Sequence, residues 1–386
     1  MDTVRIGIIG MGNIGAFHAA YLLEGKVAGA QLAAVCSTSP HKLADYSQKG
    51  VRVFGDGEEL VRSGSVDAVL IATPHFQHAA LGIAAFNAGL HVLVEKPIAA
   101  QKADAEALIA AARARPGLKF AAMFQLRVEP RYEIIRSLVG TGSLGKIIRM
   151  NWIATDWFRS NAYYASSAWR ATWKGEGGGV LINQSLHQLD MLQWLLGMPA
   201  RVHGFCQLGR FHPIEVEDSV TAYLEWKNGA TGTFLASTGE LPGTNRLEIV
   251  GTKGRLLLEN DSLTFNRLAI PSDEWSRNSK TGFHRPDIHT EQLPFASAPN
   301  PHAQLTQNFA DAIRTGAPLQ CPGEEGVGSI ELANAIVWSS ALKRTVELPL
   351  DSTAYGSFLN ELISNSRMTK HIVATSGDDF AKSFRK

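Results

Sequence analysis

His187 is the side chain in this sequence best suited to moving a proton, because an imidazole titrates near neutrality and is both available and effective there as a general base. It sits in the run Gly175 to Gly197, GEGGGVLINQSLHQLDMLQWLLG, where Gly177 to Gly179 give a flexible approach to apolar residues at helical spacing. Ile182, Leu186 and Leu189 make a stripe to be buried. Beside it Asn183, His187 and Asp190 fall at i, i+4 and i+7, so the spacing predicts that they line one polar edge of a helix. Asp190, three residues on, is placed as a hydrogen-bond partner for the imidazole.

A second candidate group is Lys96, between Glu95 and Pro97, at the end of the apolar run His91 to Glu95. A fixed ammonium at a strand end can hold a substrate hydroxyl and stabilise a developing alkoxide.

The elements that must position these groups begin with Val4 to Gly10, VRIGIIG, a strand that runs into Gly10-Met11-Gly12-Asn13-Ile14-Gly15 and then a helical pattern from Ala16 to Leu23. This is GxGxxG in strand, turn and helix context. The first glycine makes the turn, the second lets backbone approach a pyrophosphate, and the third lets the helix pack on the strand. The helix N-terminus offers free N–H groups to the anion. After the strand Gln31 to Cys36 come Ser37-Thr38-Ser39-Pro40-His41-Lys42, with neither the acidic residue that would select NAD nor an Arg that would select NADP. The hydroxyls of Ser37 and Thr38 suit NAD, and Lys42 nearby would tolerate a 2′-phosphate, so both cofactors stay open.

Apolar strands then alternate with amphipathic helices as far as Phe124: a helix near His41 to Gln48, strand Ala68 to Ala72, helix Gln77 to Ala88, strand His91 to Glu95, helix Ala103 to Ala114 and strand Phe120 to Phe124. That alternation predicts an α/β class, a doubly wound parallel sheet of the Rossmann type, over residues 1–125. Ligands in such sheets sit off the carboxyl ends of the strands. Thr73-Pro74-His75 with His78 occupy one such end, Glu95 and Lys96 another, and Gln125 a third; all are expected to contact the cofactor.

From 126 to 348 the pattern changes. Arg127 to Val139 reads as a linking helix. The runs Val202 to Leu208, Val220 to Trp226, Thr231 to Ala236, Leu247 to Val250, Arg255 to Glu259 and Leu263 to Phe265, separated by turn signals, predict an α+β domain with a large, mostly antiparallel open sheet. Trp152, Trp157, Tyr163, Tyr164, Trp169 and Trp173 are dense enough to supply aromatic platforms for a sugar ring, with Trp157 and Trp173 chosen as substrate contacts. Arg170 and Lys174, interleaved with them, could supply hydroxyl or cofactor contacts. Residues 271–301 carry five prolines and read as a long loop, followed by helices near Ala303 to Arg314 and Glu324 to Lys343. The polar tail 349–386 is expected to be partly disordered or an oligomer arm.

Composition sets the limits. At 386 residues, 45% hydrophobic and 19% charged, the chain has material for two cores. A formal charge of +1 without a dense Lys/Arg tract gives nucleic acid nothing to bind. Cys36, Cys206 and Cys321 are far apart and not in CxxC spacing, which argues against disulfides and structural zinc and for a reducing, cytoplasmic setting. The apolar run at the start is too short to span a bilayer, and the histidines form no metal-ligand pattern.

Taken together, GMGNIG, Glu95-Lys96-Pro97 and GGG(x)3N(x)3H(x)2D resemble the glucose-fructose oxidoreductase and inositol dehydrogenase family, from Val4 to about Leu348. The resemblance implies NAD or NADP in the first domain, substrate against the open sheet of the second, and an oligomer, a homodimer or homotetramer, built on that sheet's outer face. It places the family's conserved Lys at Lys96 and its helix His at His187. One departure is Asn183, where the family usually has Asp; an amide orients a hydroxyl but carries no relay charge, so His187 would hand its proton to Asp190 or solvent. The stretch Trp169 to Glu176 with Asn183-Gln184 looks most like members acting on sugars and glycosides, often at C3. The expected activity is oxidation of a secondary ring hydroxyl with catalytic Lys96, His187 and Asn183. The alternatives are an inositol or cyclic polyol dehydrogenase, or a non-catalytic dinucleotide-binding sensor.

Overall fold

The computed structural model describes residues 2–373. The first sheet is built from β1 (Val4–Ile9), β2 (Ala30–Cys36), β3 (Arg52–Phe54), β4 (Ala68–Ile71), β5 (His91–Val94) and β6 (Phe120–Ala122), all parallel, in the order β3-β2-β1-β4-β5-β6. Its strands are short β-branched and alanine runs buried on both faces, as a parallel sheet between helical layers requires. Those layers are α1 (Asn13–Leu23), α2 (Ala44–Gln48), α3 (Gly57–Arg62), α4 (His78–Asn87) and α5 (Lys102–Arg113). The order reverses between β1 and β4, which opens a crevice at their carboxyl ends. β3 and α3 were not anticipated: three residues of strand and six of helix are too short for a periodic signal.

A 3-10 turn at Gln125–Val128 leads to α6 (Pro130–Gly140), so the expected linking helix starts at its proline rather than at Arg127. The second sheet comprises β7 (Ile147–Ala154), β8 (Arg201–Leu208), β9 (Glu217–Glu225), β10 (Thr231–Ser237), β11 (Asn245–Gly251), β12 (Gly254–Glu259), β13 (Ser262–Leu268), β14 (Ile288–Gln292) and β15 (Val346–Glu347). The order is β14-β13-β12-β11-β7-β10-β9-β8-β15, antiparallel at every pairing except β7 with β10. Its inner face is a core of Trp152, Leu224, Phe234, Leu256 and Phe265; Tyr132 of α6 lies against Trp152, α11 (Gly326–Leu342) packs on β8, and α8 (Leu186–Leu196) packs on α6 and α11. α7 (Asn161–Ala165) precedes α8, and α10 (Pro301–Thr315) crosses back to pack on α1.

One expectation is corrected. Residues 271–301 are not one loop: they hold α9 (Ser272–Asn278), with Asp273 and Glu274 in its first turn, and the edge strand β14, which pairs with β13. The tail begins with an ordered helix, α12 (Ser352–Asn365). Asp351 caps it through its carboxylate, and Tyr355 and Leu359 are buried against α5 and α11. Leu350 just before it is tied down by Lys102 Nζ, which donates to its carbonyl at 2.7 Å. The part of the expected arm from 374 to 386 lies outside the described residues.

Candidate active site

The carboxyl ends of β1, β2, β4 and β5 open into a cavity of about 1220 Å³ that continues to the loops before α8. Gly10 turns with φ +103°, and a Cβ on it would meet the Ala72 carbonyl at 2.6 Å. Gly15 is packed so closely that a Cβ would fall 2.0 Å from the Gly10 carbonyl, whereas a Cβ on Gly12 would meet nothing within 4 Å. Gly12 thus leaves a space at the N-terminus of α1, where no side chain caps the helix and the first-turn N–H groups stay available to an anion. Gly12, Asn13 and Ile14 line the cavity, as do Ser37 and Thr38 after β2. Lys42 and Asp56 line it too; Asp56, from the loop after β3, was not anticipated. Thr73 Oγ1 and Gln125 Oε1 are buried without a protein partner. Bare amides for a pyrophosphate, hydroxyls at the ribose end and unpaired acceptors deeper in fit a dinucleotide.

At the far end Lys96 and His187 line the same cavity. Lys96 follows β5. Its Nζ donates to the Asn183 carbonyl at 2.8 Å and approaches Asn183 Oδ1 at 3.5 Å. Burial pushes its ammonium down to about 8, against the pull of Glu95 and Glu176. His187 stands in the first turn of α8 and is 6% exposed. Burial, with the Lys96 charge nearby, holds it well below its ordinary 6.5, so it is neutral at pH 7. Its Nε2 lies 3.3 Å from Gln125 Nε2, and its Nδ1 is buried with no partner.

Asn183 reaches this point by another route than the expected helix edge. Residues 176–185 form consecutive turns, because the backbone is tied to Glu217 at the start of β9: Oε1 accepts from Gly179 N at 2.9 Å and from Leu181 N at 3.1 Å, and the Glu217 carbonyl accepts from Val180 N at 2.9 Å. A Cβ on Gly179 would lie 1.9 Å from that carbonyl, which requires glycine there. The helix starts only at Leu186. Asp190 is not a partner of His187: it is ion-paired with Arg127 in the core. Trp173 is also corrected; it is buried, lies off the cavity, and its backbone N–H donates to Glu215 at 2.9 Å. Lys174 is exposed outside the cavity.

Trp157 and Arg170 do line the cavity, joined by Trp169, Tyr163 and Arg159. Arg170 donates to Tyr163 Oη at 2.8 Å and stacks over the Tyr163 and Trp169 rings at 4.6 and 4.7 Å. The result is a wall of rings and guanidinium groups facing the Lys96 end.

The remaining expected contacts play supporting parts. His78 bridges two loops, Nδ1 to the Pro97 carbonyl at 2.6 Å and Nε2 to the Thr73 carbonyl at 2.7 Å. His75 Nδ1 lies 3.1 Å from the Glu176 carbonyl. Glu95 is buried, and His18 Nε2 meets its Oε1 at 2.7 Å. Burial raises the Glu95 carboxyl, but the His18 hydrogen bond and nearby cations outweigh it, so the group stays below its usual range. Tyr21 and Thr306 extend this chain to α10. Neither His18 nor Glu176 was anticipated. A histidine at i−3 to Tyr21 on the fingerprint helix and a lone charge inside a glycine run were the available signals.

Fold and site together define a dinucleotide-dependent oxidoreductase. The chain belongs to the glucose-fructose oxidoreductase and inositol dehydrogenase family: residues 4–121 match the oxidoreductase family's NAD-binding Rossmann fold, and residues 136–348 match its C-terminal alpha/beta domain. Among relatives, the myo-inositol 2-dehydrogenase of Thermotoga maritima is 24% identical over 89% of this chain and 98% of its own length. The trans-1,2-dihydrobenzene-1,2-diol dehydrogenase of Bos taurus is 29% identical over 65% of this chain and 73% of its own. Among solved structures, the WlbA dehydrogenase of Bordetella pertussis, in complex with NADH and UDP-GlcNAcA, superposes with a TM-score of 0.76 at 26% identity, covering 90% of this chain and 100% of that one.

Proposed function

We propose that this enzyme oxidises a secondary ring hydroxyl of a sugar or glycoside to a ketone, or runs the reverse, with Lys96, Asn183 and His187 as its catalytic residues. NAD supplies the hydride acceptor. The observation that carries the proposal is the meeting of Lys96, Asn183 and His187 in one cavity whose other end is the glycine fingerprint. His187, neutral and buried, removes the hydroxyl proton. The Lys96 ammonium polarises the same oxygen and stabilises the alkoxide as it forms. Asn183 holds the ammonium, and Trp157 and Arg170 flank the ring.

The three named proteins above act on, or are bound to, molecules with hydroxyls on a ring, which supports the substrate class. The inositol dehydrogenase favours a second reading with a cyclic polyol as substrate. A panel of sugars, glycosides and inositols, assayed for reduction of NAD and of NADP by absorbance at 340 nm, decides between them. Absence of any substrate-dependent signal across the panel would leave a dinucleotide-binding sensor in its place.

A homo-oligomer in the cytoplasm completes the proposal. The outer face of the second sheet exposes Phe205, 62% accessible, opposite Thr221 and beside Tyr223, and the three cysteines are free. Light scattering of the wild type and of Phe205→Asp tests the assembly: a monomer in the wild type would sink it.

A further inference from the structure

Glu176 is 2% exposed beneath the glycine loop and does not itself line the cavity. Its carboxylate oxygens face two segments. Oε1 accepts from Asn183 Nδ2, and Oε2 accepts from Ala171 N at 2.5 Å, next to Arg170. A carboxylate only accepts, so the Asn183 amide must present its NH2 group to Glu176. That leaves Oδ1 turned toward the Lys96 ammonium, 3.5 Å away, while the Asn183 carbonyl accepts from the same Nζ at 2.8 Å.

We infer that Glu176 is a positioning residue of this site: through the Asn183 side chain it fixes which amide atom meets Lys96, and through Ala171 it pins the Arg170 wall to the same point. The inference deepens the function proposed above by naming the group that sets the geometry of its catalytic pair. A glutamine in its place keeps the volume but must aim an NH2 group at one of two donors, Ala171 N–H or Asn183 Nδ2. If Asn183 rotates to relieve the clash, its own NH2 group is driven against the ammonium. Burial pushes the Glu176 carboxyl up, against Arg170, the Ala171 N–H, the Asn183 amide and Lys96; in its ionised form it adds a negative charge beside Lys96, which faces Glu95 at its own strand end, Arg159 and Arg170 across the wall, and His75, His78 and His187 around the cavity. Loss of that charge lowers the pH at which Lys96 gives up its proton.

The test uses the full chain as E176Q, E176D, N183A and the E176Q/N183A pair, with two readouts. With the substrate found by the panel, E176Q should lower kcat by up to about 10²-fold, more than it raises KM and with NAD affinity unchanged, E176D should recover part of the loss, and the pair should lose less than the two single losses multiplied, because N183A has already removed the Asn183 route and leaves only the Ala171 route to lose. Losses that multiply in the pair would overturn the inference. The second readout needs no substrate: in protein labelled with 15N-lysine, with the Lys96 Nζ signal assigned by its disappearance in K96R, the titration midpoint should fall in E176Q and fall less in E176D. An unchanged midpoint in folded E176Q overturns it; if E176Q does not fold, E176A, which also removes the charge, is titrated in its place with the same two outcomes. If no panel compound is oxidised the proposed function fails, and the titration still judges Glu176.

Discussion

Arg127 grips Asp190 along both edges of the carboxylate, Nε to Oδ2 at 2.7 Å and Nη2 to Oδ1 at 2.6 Å, with both side chains 1% exposed. Gln193 adds a third donor to Oδ1 at 3.0 Å, and Arg127 also reaches Glu325. The pair therefore joins the turn before α6, the helix carrying His187 and the turn before α11, and the carboxylate faces donors other than the imidazole. Removing one partner strands a buried charge, at a cost of about 3–5 kcal/mol. Asp190→Asn and Arg127→Met should each lower the urea midpoint strongly, and the double variant should lose less than the two singles together. The pH profile of kcat/KM, measured on the protein that remains folded, should not move; a shift would return Asp190 to the proton relay.

His187→Ala should cut turnover by about 10²- to 10⁴-fold, the ordinary worth of general-base assistance, with NAD affinity unchanged. Because burial holds the imidazole well below 6.5, the wild type should keep its base as pH falls from 7 to 6. An acid limb of kcat/KM centred at 6.5 or above would mean that another group removes the proton.

The first half of this site was readable because each part is local. GxGxxG stands between a β-branched strand and a helix, and the residues after β4 and β5 fall where a parallel sheet puts ligands. The second half depends on a long-range tie. Asn183, His187 and Asp190 have helical spacing, yet Glu217, more than thirty residues on, captures the amides of Gly179 and Leu181 and delays the helix to Leu186. Spacing alone therefore placed Asn183 on a helix that starts only after it; between His187 and Asp190 the helical spacing holds, but Arg127, from the turn before α6, takes the Asp190 carboxylate. Trp173 failed for a related reason. Aromatic density does not say which ring faces a cavity and which fills the core.

Lys96 gives the alkaline counterpart. Its folded pKa is pushed down to about 8, so the ammonium is present below that pH and lost above it. kcat/KM should decline above pH 8, and Lys96→Arg, which stays charged to beyond pH 12, should retain only a weak activity without that limb. Lys96→Met should be slow at every pH. A limb that stays at 8 in the arginine variant would belong to another group.

Gly12 and Gly15 separate binding from folding. Gly12→Ala puts a methyl into open cavity space, and Gly15→Ala drives one to 2.0 Å from the Gly10 carbonyl. The first should melt like the wild type and lose NAD affinity, measured by calorimetry. The second should lower the melting temperature as well, because backbone rather than a side-chain tip must move.

Glu217 carries the remaining pH prediction. Burial pushes its carboxyl up to about 7 from an ordinary 4.5, against the backbone hydrogen bonds from the glycine loop. Between those values the folded chain holds a proton that the unfolded chain has released. The stability this contributes is complete below 4.5 and is lost as pH rises through 7. The loss is on the order of 3 kcal/mol. Glu217→Gln keeps an acceptor for Gly179 and Leu181 but cannot ionise, while its NH2 group, in place of the partnerless Oε2, adds a penalty that does not vary with pH. The melting temperature of the glutamine variant relative to wild type should therefore rise from pH 5 to pH 8. A difference that stays flat over that range would mean that the Glu217 carboxylate is already ionised in the folded protein at pH 5.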